Sequence, residues 1–173
     1  MYNMKPIVIA IIGASGSGKT YLTKYLKNEL NVPTVVSYTT RPIRLGEIEG
    51  EDHYFITKDQ LPAKEEMLAY TRFGGHEYFA LHMQVPATGL CSYVIDEEGL
   101  EVLTRKYSDR YTVIAIAVKC SPEVLLSRGI APERIQRDRD RRTLTENYFD
   151  AIIFNNGTLQ EFEESIIREF KKL

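Results

Sequence analysis

Two stretches of this chain carry residue types spaced for phosphate chemistry. The first is Gly13, Ala14, Ser15, Gly16, Ser17, Gly18, Lys19 and Thr20, which fit the pattern GxxxxGK(S/T). Glycines at that spacing let the backbone curl so that its N–H groups face an anion. The lysine ammonium then reaches the outer phosphates of a triphosphate, and the hydroxyl after it is a magnesium ligand. The second stretch is SYTTRPIRLGEIEGEDHYF from Ser37 to Phe55, the densest polar run in the molecule. Arg41 and Arg44 stand there with Pro42 between them, among the hydroxyls of Ser37, Thr39, Thr40 and Tyr54. A guanidinium meets phosphate oxygens in two parallel charge-assisted hydrogen bonds, so this loop has the chemistry to grip a second phosphate. The same composition also describes a solvated loop whose arginines pair with Glu47, Glu49 and Glu51, and composition alone leaves both readings open.

A third cationic region carries Arg128, Arg134, Arg137, Arg139, Arg141 and Arg142, interleaved with Glu133, Asp138 and Asp140. With Gly129 and Pro132 near its start it reads as a hinged lid that swings arginines over phosphates, or as an exposed helix laced with i to i+4 ion pairs. Asp96 ends the apolar run YVID and is either a site carboxylate at the ligand-binding edge of a sheet or the cap of the helix that follows. His53, His76 and His82 lack the spacing of metal ligands.

The elements that must position these groups follow from apolar periodicity. Ile7 to Ile12 reads as a strand buried on both faces. Leu22, Tyr25, Leu26 and Leu30 recur at helical spacing, so the glycine-rich loop lies between strand and helix as a phosphate site requires. Val32 to Ser37 reads as a short strand, Thr57 to Met67 as a short helix begun by Thr57 or Asp59, and Leu68 to Phe79 as two strands joined at Gly74-Gly75. Thr112 to Val118 is a further strand, followed by Ser121-Pro122 as a helix cap and first residue. Ala151 to Phe154 is a last strand before Asn155. Leu159, Phe162, Ile166, Phe170 and Leu173 mark a terminal amphipathic helix.

At 173 residues the chain is expected to be one α/β domain. A formal charge of −2 gives no overall basicity that argues for nucleic acid as a partner. Cys91 and Cys120 are too few and too unpatterned for a disulfide framework or a zinc site, and read as reduced thiols of a cytosolic protein. The N-terminus carries no secretory pattern and no run approaches a membrane span, so the expected location is the cytoplasm and no membrane partner is expected.

With both phosphate stretches in view, the chain resembles the guanylate kinase family of nucleoside monophosphate kinases over nearly its whole length. In that family a P-loop is followed by SxTTRxxRxGExxGxxY, and Ser37, Thr39, Thr40, Arg41, Arg44, Gly46, Glu47 and Gly50 fall at the expected places. The resemblance resolves the arginine loop in favour of phosphate binding. It implies a P-loop NTPase three-layer fold with a parallel central sheet. The core would span 1–36 and 88–173, a monophosphate-binding lobe about 37–87 and a short arginine-rich lid about 128–142. It also implies phosphoryl transfer from ATP, with Mg2+, to GMP, dGMP or a related nucleotide, by a monomer or homodimer. The P-loop residues Gly13 to Thr20 and Asn155 would hold ATP, with Thr20 on the metal and Lys19, Arg128 and Arg137 catalytic. Ser37, Arg41, Arg44, Glu47, Tyr54, Tyr78 and Asp96 would hold the acceptor.

The sequence departs from the family where the base is read. The family's phosphate-binding tyrosine position holds His53, with Tyr54 next to it. A guanine-reading glutamate would align near Ala69, a base-contacting Ser/Thr near Leu81, and a strand acidic residue is replaced by Val94. Glu65, Glu66 and Glu77 are alternative sources of the carboxylate. A site that hydrogen-bonds guanine draws its selectivity from such groups, so their replacement implies a different or less selective base. Two other classes fit parts of the pattern: an inactive guanylate-kinase-like binding module, and a P-loop kinase of another small phosphorylated metabolite.

Overall fold

The computed structural model describes residues 5–141 and 143–173, so Arg142 of the cationic region lies outside the described residues. Nine strands are described: β1 (Ile7–Ile12), β2 (Thr34–Val35), β3 (Tyr38–Thr39), β4 (Tyr54–Phe55), β5 (Met67–Phe73), β6 (His76–Leu81), β7 (Leu90–Val94), β8 (Thr112–Lys119) and β9 (Ala151–Phe154). Five helices join them: α1 (Lys19–Leu30), α2 (Glu97–Lys106), α3 (Pro122–Ser127), α4 (Pro132–Arg139) and α5 (Leu159–Phe170).

β1 is the centre of a five-stranded sheet in the order β2-β7-β1-β8-β9, every pairing parallel. Its apolar run needs no alternation because both faces are covered. Val8, Ala10 and Ile12 pack with Leu100 and Leu103 of α2 on one side. Ile9 and Ile11 pack with Leu22 and Leu26 of α1 and Phe162 and Ile166 of α5 on the other. Each fully buried Leu, Ile or Phe in these layers stabilises the fold by about 1.5–3 kcal/mol, and the expected three-layer α/β arrangement results. α5 opens on a capping box: Thr158 Oγ1 accepts from the Glu161 N–H at 3.2 Å, and the Glu161 carboxylate accepts from the Thr158 N–H at 2.6 Å.

The remaining strands form a second sheet in the order β4-β3-β6-β5. Gly74 and Gly75, both at positive φ (58° and 81°), make the expected tight turn between β5 and β6. Two expectations are corrected. The strand from Val32 to Ser37 is reduced to Thr34–Val35, because this edge strand pairs only with Ser92 and Tyr93 before the chain leaves for the second sheet. The helix from Thr57 to Met67 is two single 3-10 turns, Lys58–Gln60 and Lys64–Glu66. Pro62 separates them, since the residue before a proline is forced out of helical backbone and Leu61 is extended at φ −62°, ψ 130°. No helix among the described residues is long and apolar enough to cross a membrane.

Candidate active site

The glycine-rich loop follows β1 and opens α1, and its glycines are steric requirements. A Cβ on Gly13 would lie 2.4 Å from the Val118 carbonyl oxygen. One on Gly18, at φ +111°, would lie 2.5 Å from Asn155 Nδ2. The first N–H groups of α1 have no partner within the helix, so they face outward as an anion site. Lys19 Nζ donates to the carbonyls of Gly13 and Ala14 at 2.7 and 2.8 Å. Burial lowers its pKa to about 8, against the opposing pull of the Asp138 carboxylate.

The arginine loop opens on the same cleft. Ser15 and Lys19 line it from one side, and Ser37, Arg41, Arg44 and Glu47 from the other. The two arginines of that loop differ in their partners. Arg41 is buried and forms a bidentate pair with Glu47, its Nη1 and Nη2 donating at 2.9 and 2.8 Å. This bond, against burial, holds the Glu47 carboxyl below its ordinary range. Glu47 also accepts from the Arg44 N–H at 2.7 Å, while the Arg44 side chain has no carboxylate within 4.0 Å among the described residues. Glu47 thus shapes the loop, fixing the Arg41 guanidinium and holding the Arg44 backbone while the Arg44 side chain lines the cleft.

Of the two aromatic candidates, His53 lines the cleft and Tyr54 does not. Tyr54 stacks on Tyr38 with ring centroids 4.8 Å apart, and Tyr38 in turn on Phe79 at 5.5 Å, so its ring belongs to the packing of the second sheet. His53 Nδ1 lies 2.7 Å from Ser37 Oγ, and burial, then the Arg41 charge, keep its pKa below the usual imidazole value. Tyr78 lines the cleft as expected.

Asp96 caps α2 and also lines the cleft. Its Oδ1 accepts from the Gly99 N–H at 2.7 Å as the cap of α2, while Oδ2 faces Thr71 Oγ1 at 3.3 Å and Arg141 Nη2 at 3.7 Å in the cleft. Ala69 and Val94 line the cleft but offer no side-chain hydrogen bond, and Leu81 lies outside it. Ala69 sits at φ +51° within an irregularity of the β5–β6 pairing. Glu65 and Glu66 do not line the cleft, and Glu77 is buried, accepting from Thr40 Oγ1 at 2.6 Å.

The cationic region divides. Arg137 lines the cleft, with Nη2 3.0 Å from Asp138 Oδ1 and 3.4 Å from Ser15 Oγ. Arg128 does not line it: at the end of α3 its Nη2 donates to the backbone and side-chain oxygens of Asn155, each at 3.0 Å. Asn155, only 8% exposed, donates from Nδ2 to the Ser17 carbonyl at 2.8 Å. These two residues therefore brace the P-loop through its Gly16 and Ser17 carbonyls.

Two further residues of this region come to the P-loop: Arg141 lines the cleft, and Asp138 lies beside Gly13 and Ala14 next to it. Arg141 lies over the Phe73 ring at 5.1 Å and reaches Asp96 and Glu97. It lies past the end of α4 at Arg139, so helical spacing from Arg137 does not place it, and no local pattern marks it out. Asp138 accepts from the Ser15 N–H at 2.7 Å, and nothing in a run of alternating charges marks it out.

Known proteins match this arrangement over nearly the whole chain. The family model described as guanylate kinase matches residues 3–169. The guanylate kinase of Thermotoga maritima is 30% identical over 96% of this chain and 81% of its own length. That of Wolinella succinogenes is 30% identical over 96% of this chain and 84% of its own. The crystal structure of guanylate kinase from Anaplasma phagocytophilum superposes with a TM-score of 0.67 over 97% of this chain and 87% of its own, at 20% identity, a likeness of fold. A parallel sheet with the P-loop at its centre, a facing arginine loop on a second sheet and this match along the sequence lead to one assignment: the chain belongs to the guanylate kinase family of nucleoside monophosphate kinases.

Proposed function

We propose that the chain transfers the terminal phosphoryl group of ATP to GMP, dGMP or a related nucleoside monophosphate, giving the diphosphate. The observation that carries this reading is the shared cleft, with Lys19 and Ser15 on one wall and Arg44, Arg41 and Ser37 on the other. Phosphoryl transfer asks little covalent chemistry of the protein, and rate comes from alignment and neutralised charge. In this reading Gly13 to Thr20 hold the donor, and Lys19 leaves its two carbonyl partners for the outer phosphates. Arg44 and Ser37 hold the acceptor phosphate on a loop shaped by Arg41 and Glu47, with His53 and Tyr78 beside them. Asp96 faces the acceptor, and Arg137 spreads its charge over the transferring group. Arg128 and Asn155 support the donor site through the P-loop backbone.

A magnesium ion carried by the nucleotide fits these residues. Among those described, no cluster of three His, Cys, Asp or Glu forms a cage, whereas Mg2+ with ATP asks for one or two protein oxygens plus phosphates and water. Thr20, exposed in the first turn of α1, supplies such an oxygen. Bound there, the ion would neutralise phosphate charge.

The division of labour follows the two sheets: a core of 1–36 and 88–173, an acceptor lobe of about 37–87 and a lid of about 128–142. The protein works in the cytoplasm as a monomer or homodimer, with ATP and the monophosphate as its partners. At the base end, Ala69 and Val94 favour an acceptor site less selective than one lined by carboxylates.

An ADP-release assay against nucleoside and deoxynucleoside monophosphates and sugar phosphates tests the reading. Turnover on GMP or another nucleotide supports it. Turnover on sugar phosphates alone, or on nothing, overturns it in favour of another metabolite kinase or a binding module.

A further inference from the structure

One backbone N–H of the P-loop, that of Ser15, is already held by a carboxylate of the protein itself. Asp138 Oδ2 accepts the Ser15 N–H at 2.7 Å, and the Asp138 side chain is 4% exposed. Arg137 Nη2 and Nε donate to its other oxygen at 3.0 and 3.3 Å, and Arg141 Nη1 lies 4.0 Å from that same oxygen. A carboxylate held by a P-loop N–H and bracketed by guanidinium groups has the surroundings of a bound phosphate. Burial by itself would raise the pKa of this group, but the Ser15 and Arg137 hydrogen bonds outweigh it and keep the carboxyl below its ordinary range, so the occupant is an anion.

The segment that delivers Asp138 is closed over the loop. Ile130 lies against Gly16, where a Cβ would come within 2.6 Å of its Cδ1. α4 starts two residues later behind Pro132. The join to α3 is Gly129, at φ +79° with open space around it, a position able to absorb a change of backbone direction. Arg137, one residue before Asp138, reaches Ser15 Oγ at 3.4 Å.

We propose that Asp138 is a built-in competitor of the donor: its carboxylate occupies the P-loop phosphate site in the ligand-free enzyme, holds α4 down over it, and is displaced when the polyphosphate of ATP arrives. Two anions cannot share the Ser15 N–H, and their repulsion in a partly desolvated site drives the exchange. Arg137 and Arg141, released from Asp138, turn to the incoming phosphates. The donor must therefore open the segment before it closes again on the nucleotide, and intrinsic donor affinity is lowered by the lock it breaks. This rests on the P-loop being the donor site, as proposed above.

Calorimetric titration of the wild type, D138N and D138A with ATP, with inorganic tripolyphosphate as a base-free probe, and with GMP tests the lock. Both variants are expected to bind ATP and tripolyphosphate about tenfold more tightly, the scale of one charge-assisted contact, with GMP affinity unchanged. ATP affinity that is unchanged or weaker overturns the proposal and leaves Asp138 as a support for Arg137. Equal tightening toward GMP overturns it as well, because the effect is then one of general charge. If the wild type binds neither ATP nor tripolyphosphate, the donor-site reading itself fails, and the lock with it. Should neither variant fold, the carboxyl 13C resonance of Asp138 in the wild type decides: it is expected to shift when tripolyphosphate is added, and an unmoved resonance overturns the proposal.

Discussion

Asn155 Nδ2 donates to the Ser17 carbonyl oxygen at 2.8 Å, across more than a hundred residues of sequence, while Arg128 Nη2 holds the Asn155 side-chain oxygen at 3.0 Å from the other direction. The end of β9, the end of α3 and the floor of the P-loop are thereby tied at one point, and Gly18 is the residue whose missing Cβ leaves room for the amide.

Removing the amide should loosen the loop without touching the transferred group. Asn155→Ala is expected to lower stability by about 1–3 kcal/mol, the cost of stranding buried partners, and to raise the donor KM more than it lowers kcat. Arg128→Ala should behave alike, and the double variant should cost less than the sum. Urea unfolding with steady-state kinetics checks this, and an Arg128→Ala effect confined to kcat would place that guanidinium on the substrate instead.

Arg41 and Arg44 should separate by phenotype. Arg44 has no carboxylate partner among the described residues, so Arg44→Ala is expected to raise the acceptor KM about tenfold or more with stability unchanged. Arg41→Ala removes the guanidinium that pairs with the partly buried Glu47, so it should raise the acceptor KM and also destabilise the fold by about 1–3 kcal/mol. Thermal unfolding beside acceptor titrations reads both quantities.

Lys19 makes donor binding dependent on pH. Its ammonium is the form that meets phosphate, and with a pKa lowered to about 8 that form is present below this pH and lost as pH rises through it. Donor kcat/KM for the free enzyme should therefore fall above about pH 8, well before an ordinary lysine would titrate. Lys19→Ala should abolish turnover at every pH with an unchanged circular dichroism spectrum.

Ala69 tests selectivity and strain together. A non-glycine residue at φ +51° stores on the order of 1 kcal/mol, so Ala69→Gly should raise the melting temperature. Ala69→Glu puts a carboxylate acceptor on the cleft wall, where guanine offers two N–H donors. GMP kcat/KM relative to AMP is expected to rise at least about tenfold in a panel assay.

The donor half of the site was legible in the sequence because it is local. The P-loop residues are contiguous and the flanking strand and helix announce themselves by apolar pattern, although the steric demands its glycines meet come from distant Val118 and Asn155. The arginine loop was legible by composition and by its resemblance to a known family pattern, while its split into one paired and one free guanidinium required Glu47 to be placed against Arg41. That His53 lines the cleft and Tyr54 does not follows from the pleat: neighbouring residues of extended backbone point to opposite faces, and Tyr54 is committed to the stack on Tyr38.

By itself, the sequence determined the strands of the central sheet from β1 to β9 apart from their bounds, the first and last helices, a phosphate cradle between β1 and α1, and a second cationic loop. Only the tertiary structure decided that Arg128 and Asn155 brace the cradle, that Asp96 both caps α2 and faces the cleft, and that Asp138 accepts the Ser15 N–H. The physical reason is range. Backbone conformation and burial pattern are written within a turn or a strand, whereas the partner of a charged side chain is set by which distant segments the closed fold brings within about 3 Å of one another.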